Sequence, residues 1–351
     1  MSDTKMNIRQ KRILESVDRS GGISRLEVKN KLDNGFSASI PTIARDLSLL
    51  LRSGYIRRDG HGRNTKYFPI STNPLLKYYE LDEYFSLEAD QRIGAKKRFD
   101  FSVFSHFSDL FTVKERGEID NVDRNFSKMV ISLDRDVYLK ELERFTIELS
   151  WKSSRIEGNT YSLLDAETLV KQKIESPGHP KEEAIMILNH KQAFESILKN
   201  KRDYKNINFS QVVQLHNFLV DGLGVNTGIR TQAVGITGTT YRPLDNQWQI
   251  KESLDKLLSQ INKTKYPLEK ALIILSMLSY IQPFADGNKR TSRMLANAAL
   301  IAHDFYPLSY RSVDETFYKK ALILFYEKNS LYHLKKIITE QYKFALETYF
   351  R

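Results

Sequence analysis

Residues 282–293 have the sequence QPFADGNKRTSR, and they join two strongly apolar segments. Upstream, ALIILSMLSYI at 271–281 is too short to span a bilayer and predicts a buried helix. Downstream, MLANAAL at 294–300 predicts a second buried helix, beginning near Asn288. The link between them therefore places one carboxylate, a Gly-Asn pair and three cations at the junction of two core helices.

The side chains of this link are suited to binding phosphate. Gly287 and Asn288 at a helix N-terminus expose backbone N–H groups and the positive end of the helix dipole. Arg290 and Arg293 lie three residues apart, so they share a helix face and can each donate paired hydrogen bonds to phosphate oxygens. Asp286 beside them is a natural Mg²⁺ ligand. The alternative is a charged helix cap whose side chains pair with one another.

The link resembles the signature of the Fic/Doc family, H-x-F-x-[DE]-G-N-G-R-x-x-R. The matching residues are Phe284, Asp286, Gly287, Asn288, Arg290 and Arg293. The resemblance covers about residues 185–310 and implies a mainly α-helical bundle with a β-hairpin flap. It also implies ATP and Mg²⁺ as ligands. The implied reaction moves AMP from ATP to a Ser, Thr or Tyr hydroxyl of a protein, with the chain itself among the candidate targets.

The resemblance also assigns roles to single residues. The residues expected to bind the nucleotide are Phe284, Gly287, Asn288, Lys289, Arg290 and Arg293. The residues expected at catalytic positions are Gln282, Asp286, Asn288 and Arg290, with Asp286 also holding the metal.

A second region resembles the flap on which family members dock the target polypeptide. Residues 233–250 interrupt the helical periodicity, and Ala233 to Tyr241 place β-branched residues around a glycine, as a short hairpin does. Gly228-Ile229-Arg230 matches the family's turn before that flap. The expected docking residues are Gly235, Ile236, Thr237, Gly238, Thr239 and Tyr241.

Residues 153–159, SSRIEGN, are similar to the family's inhibitory helix, [ST]-x-x-x-E-[GN]. Ser153, Glu157 and Gly158 are the matching positions. In relatives that carry this helix within the same chain, the glutamate reaches the second signature arginine, which is Arg293 here. The resemblance thus implies a Glu157–Arg293 pair that blocks the pocket for the γ-phosphate.

Two residues depart from the signature. Gln282 stands where the family has the histidine that deprotonates the target hydroxyl, and a neutral amide cannot accept that proton, although it can orient the hydroxyl. Lys289 replaces the usual glycine and is similar to a toxin branch that transfers phosphate, although that branch also has alanine at the position of Gly287. Three functions stay open: slow AMP transfer, a catalytically silent ATP-sensing transcriptional regulator, and a phosphotransferase.

The first 70 residues carry most of the excess positive charge. They contain 14 Lys and Arg against 7 Asp and Glu, a net +7 of the chain's +11. Helical patterns at Ile8 to Val17, Ser24 to Leu32 and Ser39 to Leu50 precede a basic hairpin at about 55–68. This order resembles a winged helix-turn-helix.

In that fold the third helix enters the major groove of DNA and the wing contacts phosphate or the minor groove. The candidate residues for contacts with duplex DNA are Arg45, Arg52, Arg57, Arg58, Arg63 and Lys66. The alternative is a winged helix that contacts proteins.

The composition excludes other classes. The 351 residues contain no cysteine, which rules out disulfides, thiolate metal sites, iron–sulfur clusters and a cysteine nucleophile. The N-terminus lacks a signal-peptide pattern, so a cytoplasmic protein without a membrane partner is expected. The expected domains are a winged helix at 1–70, a connector at 71–132 that packs on the body, and a Fic-type domain at 133–351 with its inhibitory helix at about 150–160. A homo-oligomer stays open.

Overall fold

Residues 6–20, 22–32, 35–53 and 55–350 are described by the computed structural model of the chain, apart from the side chains of Arg19 and Arg63. The chain forms two units, residues 1–92 and 93–351. The connector expected at 71–132 is therefore divided between them.

The first unit combines short helices with a small sheet. Its helices are α1 (Ile8–Ser20), α2 (Arg25–Lys31), α3 (Ile40–Arg52) and α4 (Leu81–Tyr84), and its strands are β1 (Ile23–Ser24), β2 (Ile56–Asp59) and β3 (Lys66–Pro69). The middle strand is β3, which pairs antiparallel with both β1 and β2. The three helices and the hairpin predicted from sequence are confirmed at these positions, and β1 adds a strand that was not predicted.

Local capping explains where α2 and α3 begin. The Ser24 side chain accepts a hydrogen bond from the backbone N–H of Glu27, whose carboxylate accepts one from Ser24 N, so both free donors of the helix start are satisfied. Ser39 caps α3, and Pro41 in its first turn lacks the N–H that would otherwise need a partner. The capping residues in the sequence are thus sufficient to predict where both helices begin.

Residues 71–92 belong to the first unit, and some of them contact α1. Lys11 in α1 forms an ion pair with Glu80 at 2.9 Å. The Asp18 carboxylate accepts a hydrogen bond from Tyr78 N at 2.9 Å. These contacts correct the predicted connector boundary, because they connect the segment to α1.

The second unit is helical. Its α-helices are α5 (Val113–Ile131), α6 (Arg135–Ile156), α7 (Leu163–Gln172), α8 (Lys181–Lys199), α9 (Phe209–Val220), α10 (Gln247–Lys263), α11 (Pro267–Ile281), α12 (Asn288–Ala302), α13 (Glu315–Lys328) and α14 (Tyr332–Thr348). Every residue of α11 is buried, and α11 packs along α12 at the centre of the unit. None of the described helices is both long and apolar enough to cross a membrane.

One helix of this unit was missed from sequence. The sequence of α5 shows no clean apolar period, because only Ile119 and Phe126 of its residues are buried. Its start carried a signal all the same: Thr112 and Glu115 form a capping box. This helix lies within the connector that the sequence predicts at 71–132.

The expected β-hairpin flap is not a hairpin. Thr237 and Gly238 form the predicted turn, with Gly238 at φ +83°, but residues 233–241 form no strand pairing with one another. Arg242 instead forms a single parallel bridge with Arg98. A two-stranded ribbon this short is marginal by itself, so contacts to the surrounding helices set the conformation. The irregular region also ends earlier than expected, because α10 begins at Gln247.

Candidate active site

The link between α11 and α12 is a tight turn with backbone in the left-handed region at both ends. Gln282, which follows α11, has φ +51°, and Gly287, which precedes α12, has φ +78°. A Cβ atom on Gly287 would lie 2.8 Å from Val220 Cγ1, too close for any side chain. Glycine is therefore required at 287 both for its backbone conformation and for space.

Replacing Gly287 with alanine should lower the free energy of unfolding by about 2 kcal/mol or more, since the new methyl group meets both strain and a clash. Gly224→Ala is the matched control. Gly224 also has positive φ, +66°, but nothing lies within 4 Å of its added Cβ. Urea denaturation of both variants measures the difference, and equal losses would contradict a close approach at 287.

The Asn288 side chain holds the turn together. Its Oδ1 accepts a hydrogen bond from Phe284 N at 2.9 Å, and its Nδ2 donates to Phe284 O and to Gln282 Oε1, both at 2.9 Å. Gln282 Nε2 in turn donates to Ser279 O at 2.7 Å. Both ends of the Gln282 amide are thus engaged by the protein, in addition to its chemical inability to act as a base.

The first signature arginine is buried beside the turn. Arg290 is 3% exposed, and its Nη2 donates to Asp286 Oδ2 at 2.8 Å. Burial lowers the pKa of Arg290, although the charge of Asp286 opposes that shift. Asp286 itself is mostly exposed, at 69% of its side chain. The pair therefore joins a fixed buried cation to an accessible carboxylate.

The second signature arginine, Arg293, contacts Glu157, as the family resemblance implies. Arg293 is 1% exposed, and its Nη1 donates to Glu157 Oε1 at 2.8 Å. Its Nε donates to Ser153 Oγ at 2.9 Å and its Nη2 to Ser153 O at 2.8 Å. All three nitrogens of this guanidinium therefore donate hydrogen bonds to residues at the end of α6. Gly158, with φ +104°, follows Glu157 where the helix has ended.

The charges around Glu157 and Arg293 favour the ionised form of this pair. Burial by itself would raise the pKa of Glu157, but the charges of Arg293, Lys289 and Arg290 outweigh it and lower that pKa. The Glu157 charge raises the pKa of Arg293 against the opposing effect of burial. Lys289 Nζ approaches the second oxygen of Glu157 at 4.0 Å. The pair is therefore ionised throughout the neutral pH range.

The stability that the ionised pair contributes should be full at neutral pH and decline in acid. A carboxylate whose folded pKa is lowered contributes stability that is full above its unfolded pKa, about 4.3, and is lost as pH falls through the folded value. We expect the difference in unfolding free energy between the natural protein and Glu157→Gln to be constant from pH 6 to 8 and to shrink in acid. Urea titrations at several pH values test this, and a difference that grows in acid would contradict it.

Two neighbouring cavities open beside these residues. One, of about 200 Å³, is lined by polar groups, among them Gln282, Asp286, Lys289, Arg290 and Glu157. The other, of about 270 Å³, is mostly apolar and is lined by Ile156, Glu157, Ile236, Lys319, Leu322 and Tyr326 among others. Each is smaller than the roughly 300–1,000 Å³ typical of small-molecule sites. Glu157 lines both cavities, whereas Arg293 behind it lines neither.

Phe284, which the sequence predicts to contact the nucleotide, faces the core. The Phe284 ring is fully buried and stacks on His216, with centroids 3.7 Å apart. His216 Nε2 donates to Asp286 O at 2.9 Å, so this pair supports the turn from behind. Phe284 therefore shapes the site from the core, which corrects its expected role as a nucleotide contact.

Tyr241 likewise belongs to the core rather than to a docking surface. It is 1% exposed, its ring stacks on Tyr280, and its hydroxyl donates to Tyr280 O at 2.8 Å. Thr239 is held by a hydrogen bond to the buried Glu327 at 2.5 Å. Among the expected docking residues, the accessible ones are Gly235, Ile236, Thr237 and Gly238.

Sequence reasoning missed the part of the site formed by α13. Lys319, Leu322 and Tyr326 line the apolar cavity, but their spacing marks them only as one face of a helix. Sequence reasoning also gave Arg230 no role beyond a motif match. Neither the α13 residues nor the role of Arg230 could have been found from spacing, because both depend on which elements meet in three dimensions.

The candidate DNA contacts lie on two surfaces of the first unit. Arg45 and Arg52 are exposed on α3, on the face opposite its buried residues. Arg57, Arg58 and Lys66 are exposed on β2 and β3. The predicted contact at Arg63 lies outside the described side chains.

These cations are not neutralised within the part of the chain that the structure describes. Arg45, Arg58 and Lys66 form no ion pair with any described residue, and Arg57 lies over the ring of Phe68 at 4.6 Å. The first unit therefore offers a basic surface on a helix and an adjoining hairpin.

Comparison with known proteins bears on the second unit. Residues 206–300 match the model of the Fic/DOC family. The protein adenylyltransferase Fic of Nematostella vectensis is 30% identical over 178 residues, which are 49% of this chain and 41% of that protein. Protein adenylyltransferase fic-1 of Caenorhabditis elegans is 25% identical over 160 residues, 44% of this chain and 31% of that protein. The matched region thus spans less than half the length of these relatives.

Solved structures show the same fold. Fic-1 (residues 134–508) from C. elegans aligns with a TM-score of 0.56 at 18% identity, covering 67% of this chain and 69% of that one. A Fic-domain-containing signalling protein from Bacteroides thetaiotaomicron aligns with a TM-score of 0.54 at 18% identity, covering 66% of this chain and 96% of that one. Residues 206–300 thus match the family that the sequence predicts, and the mainly helical fold is confirmed.

Proposed function

We propose that this chain, which carries a Fic/DOC domain at residues 206–300, binds ATP with Mg²⁺ and transfers AMP to a hydroxyl of a protein. The observation that carries the proposal is the convergence of Lys289, Arg290 and the N-terminus of α12 at a polar cavity, with Arg293 held behind Glu157, which lines that cavity. Buried guanidinium groups and a helix N-terminus together form an anion site. The relatives named protein adenylyltransferase support AMP transfer as the reaction.

The implied metal fits the residues present. Mg²⁺ is usually held by one or two carboxylates together with substrate phosphates, and the exposed Asp286 supplies one such carboxylate. Among the described residues no group of three or more His, Cys, Asp and Glu could hold a metal by itself, so phosphate oxygens would have to complete the set. The ion would neutralise charge on the phosphates.

In the proposed reaction, the oxygen of a Ser, Thr or Tyr hydroxyl attacks the α-phosphorus of ATP. The new P–O bond forms as the bond to pyrophosphate breaks, and pyrophosphate leaves with that electron pair. The hydroxyl proton passes to water, since the neutral Gln282 amide is not a base. A positioned base contributes about 10²–10⁴ in rate, and this reaction lacks that contribution.

Two further candidate functions have specific support. The engaged amide of Gln282 favours a silent protein that binds ATP and regulates through its first unit. Lys289, at the rim of the polar cavity, favours transfer of the γ-phosphate instead.

Incubation with radiolabelled ATP separates the three functions. Label on protein from α-labelled ATP supports AMP transfer, and label from γ-labelled ATP supports a phosphotransferase. ATP binding without transfer of either label supports a silent regulator.

We also propose that the first unit is a winged helix-turn-helix that binds duplex DNA, and that the protein acts in the cytoplasm. The support is the net +7 of residues 1–70 together with exposed cations on α3 and on the hairpin that form no ion pair with any described residue. Contacts between Lys or Arg and phosphate supply most of the affinity of non-specific DNA binding.

DNA binding by the full chain should weaken steeply with salt, with a log–log slope of several units. Replacing both Arg57 and Arg58 with alanine should reduce the slope by about 2, since each lost phosphate contact removes about one unit. Arg202→Ala, an exposed arginine of the second unit, is the control. Fluorescence anisotropy with a random duplex provides the measurement. No DNA binding at low salt would make the first unit a protein-contact module.

A further inference from the structure

Arg230 is a buried cation that forms no ion pair with any residue of the described part of the chain. It is 3% exposed. Burial lowers the pKa of Arg230, although the negative charge of Asp245 opposes that shift. A buried charge without an ion pair is costly, so the hydrogen bonds that compensate this charge define what the residue does.

Three backbone carbonyl oxygens accept from this guanidinium. Its Nε donates to Gln282 O at 2.6 Å, its Nη1 to Gln232 O at 2.7 Å, and its Nη2 to Leu244 O. The backbone N–H of Arg230 also donates to Pro283 O at 2.9 Å. One side chain therefore binds the signature turn and two points that lie 12 residues apart in the chain.

Those two points are the ends of the segment that contains the exposed docking residues. We define the flap segment as residues 232–244. Its later part is anchored independently, because Thr239 bonds Glu327 and Tyr241 is buried. Residues 233–237 make no side-chain hydrogen bond with any described residue and are mostly exposed. Their position relative to the signature turn therefore depends on the Arg230 contacts.

We propose that Arg230 is a positioning residue that fixes the flap segment at a set distance from the signature turn. This role deepens the proposed function, since a hydroxyl delivered along residues 233–237 must meet a phosphate held at α12. Arginine suits it because its planar fork carries donors in three directions. Lysine has a single ammonium on a flexible stem and cannot hold three separated carbonyls in the same way.

Hydrogen exchange measured by mass spectrometry tests the positioning directly, without any need for activity. In Arg230→Met we expect amides of residues 232–238 to exchange at least tenfold faster, while those of α11 and α12 keep their rates. Arg230→Lys should give an intermediate increase. Arg202→Met, an exposed arginine elsewhere in the second unit, should leave all rates unchanged.

A second measurement separates positioning from general stability. In the Glu157→Gly, Gln282→His background, Arg230→Lys should slow α-label transfer at saturating ATP at least tenfold while changing the dissociation constant of Mg-ATP less than threefold. A purely structural loss would change both values together.

Two results would overturn the proposal: unchanged exchange of the flap segment in both Arg230 variants, or equal acceleration across α11 and α12. If the background variant transfers no label, the proposed AMP transfer fails. The exchange result still decides the role of Arg230 in that case.

Discussion

Glu157→Gly should tighten Mg-ATP binding by about 10- to 100-fold. In the natural protein Glu157 accepts from Arg293 and lines both cavities, so the guanidinium is unavailable to a terminal phosphate. A charge-assisted hydrogen bond to phosphate contributes about 1.5–3 kcal/mol, which corresponds to that range. Calorimetric titration gives the affinity.

The same variant should be less stable without nucleotide. Arg293 is 1% exposed, and removal of its partner leaves a buried charge uncompensated, at a cost of about 3 kcal/mol. ATP should restore much of that loss, because its phosphate replaces the carboxylate and binding to the folded state stabilises it. The melting temperature should therefore rise more with ATP in the variant than in the natural protein.

The control for charge is a matched pair, Glu157→Gln and Glu167→Gln. The Glu167 side chain in α7 is 43% exposed, and among the described residues its ion pair is with Lys171. Tighter ATP binding in Glu157→Gln alone would assign the effect to the site. Equal affinity in the natural protein, Glu157→Gly and Glu157→Gln would mean that the carboxylate does not block nucleotide.

Adding Gln282→His to Glu157→Gly should raise the rate of α-label transfer by about 10²–10⁴ over the single variant. An imidazole with an unperturbed pKa of about 6.5 can accept the hydroxyl proton near neutral pH, which the Gln282 amide cannot do. Histidine is also among the residues more tolerant of the left-handed backbone that position 282 adopts, with φ +51°. Single-turnover labelling gives the rate.

Gln282→Ala in the same background is the control, because it removes the amide without supplying a base. Transfer from Glu157→Gly alone makes the natural protein a regulated enzyme. Transfer only after Gln282→His makes it a silent protein on a scaffold that still supports catalysis. If the double variant binds ATP and transfers nothing, then Lys289 or the flap segment orients the nucleotide differently, and AMP transfer is the wrong reaction.

The helices that form the site were predictable because their signals are local. Residues 271–281 are apolar throughout, and a helix without a polar face has to be buried. In the first unit, Ser24 and Ser39 mark helix starts through hydrogen bonds that span three residues, and Pro41 marks one because it lacks an N–H. Such signals fail where few residues face a core, which is why α5 was missed.

The contact between Glu157 and Arg293 was available from the sequence only through a family resemblance. The two residues are 136 positions apart, and no periodicity connects them. The prediction of a hairpin at the flap was wrong for a related reason. Its β-branched residues suggested a hairpin, but Arg230, Glu327 and Tyr280 provide the contacts that the segment makes instead.

The sequence by itself determined the signature turn, the helices that flank it, the basic first unit and the absence of a side chain at 282 that can accept a proton. Only the tertiary structure showed that the Gln282 amide is hydrogen-bonded at both ends, that Phe284 and Tyr241 face the core, and that Arg230 joins two segments. The physical reason is that most of these contacts end on backbone carbonyl oxygens. Every residue carries one, so no pattern of side chains marks which carbonyls a buried arginine or amide will meet.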